Sequence, residues 1–112
     1  MTERDLQHAI RLRLGRERDL VLFRNQVGQT KTDHGYLRYG LGVGSPDLVG
    51  ILAPHGRWVC LEIKTETGRV SEDQERWHKL ARKFGAHVEI VRSVDDAVSA
   101  IERARNANTN RE

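Results

Sequence analysis

The chain has 112 residues and a formal net charge of +3 at pH 7, so it is long enough for one domain with a hydrophobic core but not for two. No apolar run approaches the ~18 residues of a membrane span, and the N-terminus lacks the hydrophobic region of a secretory signal, so we expect no membrane partner. The single cysteine, Cys60, cannot form an internal disulfide, so we expect a reduced, cytoplasmic protein of a bacterium or of a phage-infected host.

The first predicted element is a helix capped by Thr2, with Asp5 three residues later in a capping box. Its apolar stripe consists of Leu6, Ala9, Ile10 and Leu14. We expect Gly15 to end the helix and Leu20–Arg24 to form a strand. The stretch Gln26–Gly44 has no clear periodicity and predicts a long loop, which in a compact domain is usually functional or mobile.

Two apolar runs, Asp47–Ala53 and Trp58–Lys64, predict a β-hairpin that turns at Pro54–Gly56. Side chains alternate along a strand, which places three apolar residues of the second run on one face: Val59, Leu61 and Ile63. Glu62 and Lys64 therefore project together from the other face.

The charged residues of this hairpin are expected to meet at its open end. Asp47 begins the first strand, and in a hairpin that position lies beside the end of the second strand, where Glu62 and Lys64 stand. Two carboxylates with a lysine suit Mg²⁺, which proteins typically hold with one or two carboxylates, water and substrate phosphate. Such a metal lowers the pKa of a bound water and stabilises charge on a phosphoryl group. The alternative is a pair of salt bridges to Lys64 on an edge strand.

A second helix is predicted after Ser71, because Ser71 and Gln74 have the spacing of a capping box. Its apolar residues at helical spacing are Trp77, Leu80, Ala81 and Phe84, and Trp77 is expected to lie in the core. Gly85 is a natural stop, and His87–Val91 is expected to form a strand.

The last predicted element is a helix capped by Ser93. Its inward-facing residues would be Val94, Ala97, Val98 and Ile101. We expect one domain over residues 1–105 and a disordered polar tail over residues 106–112. The order is then helix, three strands, helix, strand and helix, which predicts an α/β fold with a mixed sheet flanked by helices, the middle helix crossing between parallel strands.

The charged hairpin resembles the PD-(D/E)XK nuclease signature, and its surroundings resemble the VRR-NUC domain branch of that superfamily. Three stretches carry the resemblance in order and spacing: Gly44-Ser45-Pro46-Asp47-Leu48, Glu62-Ile63-Lys64 and Gly68-Arg69-Val70-Ser71-Glu72-Asp73-Gln74. The resemblance extends from about Glu3 to Ile101 and implies a restriction-endonuclease-like core, in agreement with the predicted element order.

Site residues follow from the resemblance at matching positions. It implies that Asp47 and Glu62 bind a metal, Mg²⁺ or Mn²⁺, through their carboxylates and that Ile63 does so through its backbone carbonyl. It implies that Lys64 acts on the attacking water.

Two further positions match the family less specifically. Gln74 matches a site glutamine, but the capping box alone also accounts for a glutamine there. Glu3 matches a first-helix glutamate that completes the metal site, and the alternative is an acid favoured by the helix dipole.

The resemblance implies a metal-dependent DNA endonuclease, and small members of the family look like enzymes that resolve four-way (Holliday) junctions. Candidate DNA-binding residues are Arg24, Lys31, Tyr36, Arg38, Tyr39 and Arg69, with a solvated basic loop as the alternative for those around the predicted loop. We expect branched DNA as the partner and a homodimer that makes paired cuts, with its interface in Gln26–Gly44 or on the first helix. The alternatives are a general or flap-directed nuclease and a DNA-binding module without catalysis.

Overall fold

A computed structural model describes residues 1–109 of the chain. Its helices are α1 (Glu3–Leu14), α2 (Glu72–Lys83) and α3 (Val94–Thr109). Its strands are β1 (Leu20–Arg24), β2 (Gly28–Thr32), β3 (Gly35–Tyr39), β4 (Leu48–Leu52), β5 (Arg57–Ile63) and β6 (His87–Val91). The predicted bounds of β1 and β6 agree with the structure, and those of β4 and β5 differ by one residue at each end.

The central sheet has the strand order β1-β4-β5-β6. β4 pairs antiparallel with both β1 and β5, whereas β5 and β6 are parallel. A parallel pair needs a crossover connection, and α2 supplies it. The predicted mixed sheet is therefore confirmed.

Both predicted capping boxes are present. The Thr2 hydroxyl accepts a hydrogen bond from the Asp5 backbone N–H at 3.1 Å, and the Ser71 hydroxyl accepts one from the Gln74 N–H at 3.2 Å. In return, the side chains of Asp5 and Gln74 accept from the backbone N–H groups of Thr2 and Ser71. Each N-cap is worth about 1 kcal/mol, so these residues fix where α1 and α2 begin.

The main core lies on one face of the sheet, here called the inner face, which α1 and α3 cover. Buried residues on the two central strands are Leu48, Leu52, Val59, Leu61 and Ile63, and those on the helices are Leu6, Ile10, Leu14, Ala97, Ala100, Ile101 and Ala104. Burying one large aliphatic side chain contributes roughly 1.5–3 kcal/mol. The burial of Val59, Leu61 and Ile63 therefore determines which side of β5 faces the helices α1 and α3. Its other residues, Glu62 among them, consequently point to the opposite face.

The opposite face, here called the outer face, is only partly covered. α2 packs on it through Trp77 and Ala81, which contact the small cluster of Val49, Cys60 and Val88. Trp77 thus packs against buried residues, as expected. Leu80 and Phe84, which continue the same helical spacing, are 55% and 81% exposed and line an open groove beside β5.

The prediction of an irregular loop over Gln26–Gly44 is also wrong. Residues within it form an antiparallel hairpin, β2–β3, in which Lys31 lies opposite Tyr36 and Gln29 lies opposite Arg38. Its strands are almost wholly exposed, so they lack the apolar alternation that reveals a half-buried strand. The hairpin forms a separate two-stranded sheet beside the central one.

The helix α3 runs to Thr109, past residue 106 where a disordered tail was expected to begin, and residues 110–112 lie outside the described part of the chain. The Arg105 guanidinium anchors this last segment, because it donates to both carboxylate oxygens of Asp19 at 2.7 and 2.8 Å. That pairing holds the pKa of Asp19 below its usual value. Within residues 1–109, no helix has the length and apolar character needed to cross a membrane.

Candidate active site

The acidic residues of the predicted hairpin do meet. β4 and β5 pair with Leu48 opposite Leu61, and the same register places Asp47 beside Glu62. One Asp47 carboxylate oxygen accepts a hydrogen bond from the Ile63 backbone N–H at 2.9 Å, and the Asp47 and Glu62 carboxyls are hydrogen-bonded to each other. The two acids therefore form one unit at the end of the sheet.

Glu62 is an acid inside the protein, with 1% of its surface exposed. Burial, followed by the neighbouring Asp47 carboxyl, raises the pKa of Glu62 to about 9. The positive charge of Lys64 lowers the pKa of Glu62, and the negative charge of Glu3 raises it further. Both residues are therefore close enough to act on this carboxyl electrostatically. At neutral pH and without a cation, Glu62 keeps its proton.

A buried histidine holds Glu62 from the side of α2. The His78 Nε2 atom lies 3.2 Å from a Glu62 carboxyl oxygen, and His78 is only 2% exposed. Burial lowers the pKa of His78, which favours the neutral ring. The sequence reading did not identify His78, although it lies four residues after Gln74 and so on the same face of α2.

A cleft of about 410 Å³ opens beside Asp47. It is lined by Glu3, Arg4 and Gln7 of α1, Arg24 and Gln26, Asp47 and Ile63. The structure thus brings Glu3, Asp47 and Ile63, which were predicted from separate parts of the sequence, to one cavity. Glu3 also occupies the first turn of α1, so the dipole interaction and a place at the cleft apply together.

Lys64 and Gln74 lie at the edges of this arrangement. Lys64 follows β5 directly and is half-buried, and its backbone N–H donates to the Val91 carbonyl at 3.1 Å. The Gln74 carboxamide oxygen accepts from the Ser71 N–H at 2.8 Å, so its capping role is present. Its predicted catalytic role rests on the resemblance.

The segment that carries Asp47 is fixed by two residues that the sequence reading left without a site role. Asn25 Nδ2 donates to the Ser45 hydroxyl and to the Pro46 carbonyl, both at 2.7 Å. Gly44 has a φ of +86°, and a Cβ atom there would collide with the Asp73 carbonyl of α2. Position 44 must therefore be glycine for this segment to approach α2 so closely. Because His78 is also on α2, the approach fixes the position of Asp47 relative to His78.

The predicted DNA-binding residues fall into three places. Arg24 lines the cleft, and Arg69 is exposed between β5 and α2. The remaining four, all on the hairpin β2–β3 and all exposed, are Lys31, Tyr36, Arg38 and Tyr39. The register aligns Lys31, Tyr36 and Arg38 on one face of that hairpin and Tyr39 on the other.

The donor atoms present fit a small hard cation. No three His, Cys, Asp or Glu side chains within the described residues converge as a complete metal cage. Mg²⁺ does not need one, since it retains water and is commonly held by one or two carboxylates together with substrate phosphate. Two hydrogen-bonded carboxyls, the buried one of Glu62 and the half-buried one of Asp47, match that requirement, and Ile63 lines the same cleft as Asp47.

A family model and a solved structure that resemble this chain are both described as a VRR-NUC domain. A family model described as the VRR-NUC domain matches residues 1–95. A solved structure described as a VRR_NUC domain is 29% identical and superposes with a TM-score of 0.61, and the match covers 89% of this chain and 94% of that chain. No curated protein matches the sequence. The match in structure confirms the predicted α/β fold.

Proposed function

This chain belongs to the VRR-NUC domain family, whose members are nuclease-type domains, and we propose that it is a metal-dependent endodeoxyribonuclease selective for branched DNA such as four-way junctions. The observation that carries the proposal is the hydrogen-bonded pair of the half-buried Asp47 and the buried Glu62, with Asp47 lining a cleft that Ile63 and Glu3 also line. A folded protein keeps a buried acid such as Glu62 beside a second carboxyl at an energetic cost, so a chemical role is the better explanation for the pair than a surface salt bridge.

A bound Mg²⁺ or Mn²⁺ would activate water and neutralise charge on the scissile phosphate. Asp47 and Glu62 would hold this ion through their carboxylates and Ile63 through its carbonyl oxygen, with Glu3 completing the set from α1. Glu62 has to lose its proton for this, because the pKa of about 9 describes the carboxyl without a cation.

The other residues act on water and on DNA. Lys64 directs a positive charge toward Glu62, and it would orient the attacking water or stabilise the negative charge that develops on the phosphate. Gln74 would assist from the start of α2. Arg24, at the cleft, and Arg69 would bind the DNA backbone near the scissile bond, while the hairpin β2–β3 would bind it at a distance.

Selectivity for junctions requires two coordinated cuts, one in each of two strands of like polarity. One site of this kind cuts one strand, so we propose that the protein acts as a homodimer whose two sites face the same side.

A cleavage panel tests the proposal. Labelled four-way junction, flap and linear duplex are incubated with the protein in Mg²⁺, Mn²⁺, Ca²⁺ or EDTA. We expect cleavage of the junction in Mg²⁺ and Mn²⁺, binding with little cleavage in Ca²⁺, because the looser coordination of that ion positions water poorly, and no cleavage in EDTA. Equal cleavage of all three DNAs would indicate a general nuclease, and binding without cleavage would indicate a DNA-binding module.

Variants connect the activity to the site. Asp47→Asn and Lys64→Ala should each lower the cleavage rate by several orders of magnitude, because residues of one catalytic unit act together. Asp95→Asn, at an exposed position in the first turn of α3, is the matched control and should cleave like the wild type. Near-normal cleavage by Asp47→Asn, or cleavage in excess EDTA, would refute the mechanism.

A further inference from the structure

The outer face of the sheet leaves a large apolar surface uncovered. The register of the strands places Val21, Ile51 and Trp58 side by side, with Phe23 two residues along β1 on the same face. α2 adds Leu80 and Phe84 at its C-terminal end, one helical turn apart. These six residues, here called the outer apolar surface, are between 40% and 81% exposed.

The extent of this surface is at the upper end of what a monomeric protein exposes. Six large side chains exposed to this degree present on the order of 600 Å² of apolar area. The largest apolar patch on a typical monomer is about 300–600 Å² and is often functional. A standard protein–protein interface buries ~800 Å² on each partner, so the outer apolar surface supplies most of what one side of a stable dimer needs.

The shape of the surface favours a second copy of the same chain. A groove of about 670 Å³ runs between β5 and α2, and its lining includes Trp58, Cys60, Trp77 and Ala86. Phe84 is also one of its lining residues, and 81% of the Phe84 surface is exposed. A protruding ring next to an apolar groove is self-complementary, because a two-fold axis presents each Phe84 to the groove of the other copy.

We propose that the outer apolar surface is the interface of a homodimer, in which Phe84 of each copy enters the groove between β5 and α2 of the other. Apolar side chains make up most of such an interface, and His55 and Arg57 are the basic residues that also line the groove. The two locations expected from the sequence are less suitable: the hairpin β2–β3 has Lys31 and Arg38 on the face that carries Tyr36, and the helix α1 exposes Leu12 among charged residues. The inference is independent of the chemistry of the active site, which occupies the other end of β5.

Light scattering after size-exclusion chromatography tests the proposal at about 50 µM protein. The wild type should have a mass of about 26 kDa, since each chain is 12.8 kDa. Phe84→Glu and Ile51→Lys should each raise the dissociation constant at least tenfold and give the monomer mass. Both positions are exposed, so thermal unfolding of these variants should still be cooperative.

Matched controls introduce the same glutamate at exposed positions outside the outer apolar surface. Leu12→Glu on α1 and Leu37→Glu on β3 replace leucines of similar exposure and should leave the dimer intact. Asp47→Asn should also remain dimeric, so a protein that dimerises but does not cut DNA would refute the proposed function and leave this interface standing. A monomeric wild type at 50 µM, or dissociation by Leu12→Glu or Leu37→Glu but not by Phe84→Glu, would overturn the proposal.

Fluorescence gives a second readout. Trp58 is half-exposed in one chain and would be covered in the dimer, so diluting the wild type should shift its emission to longer wavelength along with the fall in mass. Phe84→Glu should already show the shifted emission at high concentration. An emission maximum that does not change across the dissociation would contradict burial of this surface.

Discussion

Glu62 shows what a single buried carboxyl requires of its surroundings. Its neighbours are Asp47, which shares a hydrogen bond with it, and His78, whose Nε2 lies 3.2 Å away. Together they keep the side chain in one position and its proton in place. The arrangement makes the folded state hold a proton at a pH where an unfolded chain would release it.

The stability of the metal-free protein should therefore fall with rising pH because of Glu62. Its pKa is raised from 4.5 to about 9, so between these values the folded state binds more protons than the unfolded state. Glu62→Gln removes this dependence and should raise the free energy of unfolding by up to about 4 kcal/mol at pH 7.5, with little gain at pH 5. Urea unfolding in EDTA at both pH values measures the difference.

The control for this experiment is Glu66→Gln, a few residues further along at an exposed position. It should leave the free energy of unfolding unchanged at both pH values, because its carboxyl is not buried. A Glu62→Gln protein that is less stable than the wild type at both pH values would contradict a protonated, buried Glu62.

His78 should act as a positioning residue for Glu62. His78→Ala should weaken Mg²⁺ binding by about 10- to 100-fold and lower cleavage, since residues that orient metal ligands typically contribute this much. His78→Gln, whose side-chain nitrogen can donate from a similar place, should recover most of the affinity. Titration calorimetry with Mg²⁺ measures the binding step separately from catalysis.

The exposed His8→Ala on α1 serves as the comparison and should bind Mg²⁺ normally. If His78→Gln binds Mg²⁺ as poorly as His78→Ala although both are folded, His78 acts through packing and not through its hydrogen bond to Glu62.

At the scale of elements, the hairpin β2–β3 is separable from the rest of the domain. Across the described residues it has no extensive contact with any helix or with the central sheet, so its surface residues are available to a ligand. Replacing Lys31 and Arg38 together with alanine should weaken DNA binding and reduce the salt dependence of log K by about 2, one for each lost phosphate contact. Fluorescence anisotropy between 50 and 200 mM salt measures this slope, and the thermal midpoint should not move.

Arg11→Ala together with Arg16→Ala removes two exposed charges outside the hairpin and is the control for net charge. A salt dependence that is the same in the double variant and the wild type would exclude the hairpin from the DNA interface.

How far the sequence predicts an element depends on whether that element is amphipathic. The alternation in β5 correctly places Val59 and Ile63 in the core and Glu62 opposite them, because burial on one face imposes that pattern. The hairpin β2–β3 has no buried face, so nothing in its sequence had to alternate. Leu80 and Phe84 follow helical spacing, but spacing does not state whether another part of the chain covers the face that they form. Likewise, the partner of His78 is set by how α2 lies on the sheet, which only tertiary packing determines.

At the scale of the whole molecule, metal binding should appear as added stability. A ligand that binds only the folded state stabilises it by RT ln(1 + [L]/Kd), which is about 2.7 kcal/mol at a hundredfold excess over Kd. Mg²⁺ should therefore raise the thermal midpoint by several degrees. Differential scanning calorimetry with NaCl at matched ionic strength separates this effect from charge screening. Asp47→Asn should lose the shift, and an equal shift in that variant would place the cation elsewhere.

The hairpin β2–β3 is inserted between two strands that are neighbours in the central sheet, β1 and β4. The two ends of the insertion lie together, because the Asn25 backbone N–H donates to the Asp47 carbonyl at 2.8 Å. Insertions, deletions and exchanges within the hairpin residues 28–39 leave the pairing of β1 with β4 untouched, whereas Gly44 is held to glycine by its approach to α2. Descendants of this gene can therefore change the exposed residues of the hairpin while Asp47 and Glu62 keep their places.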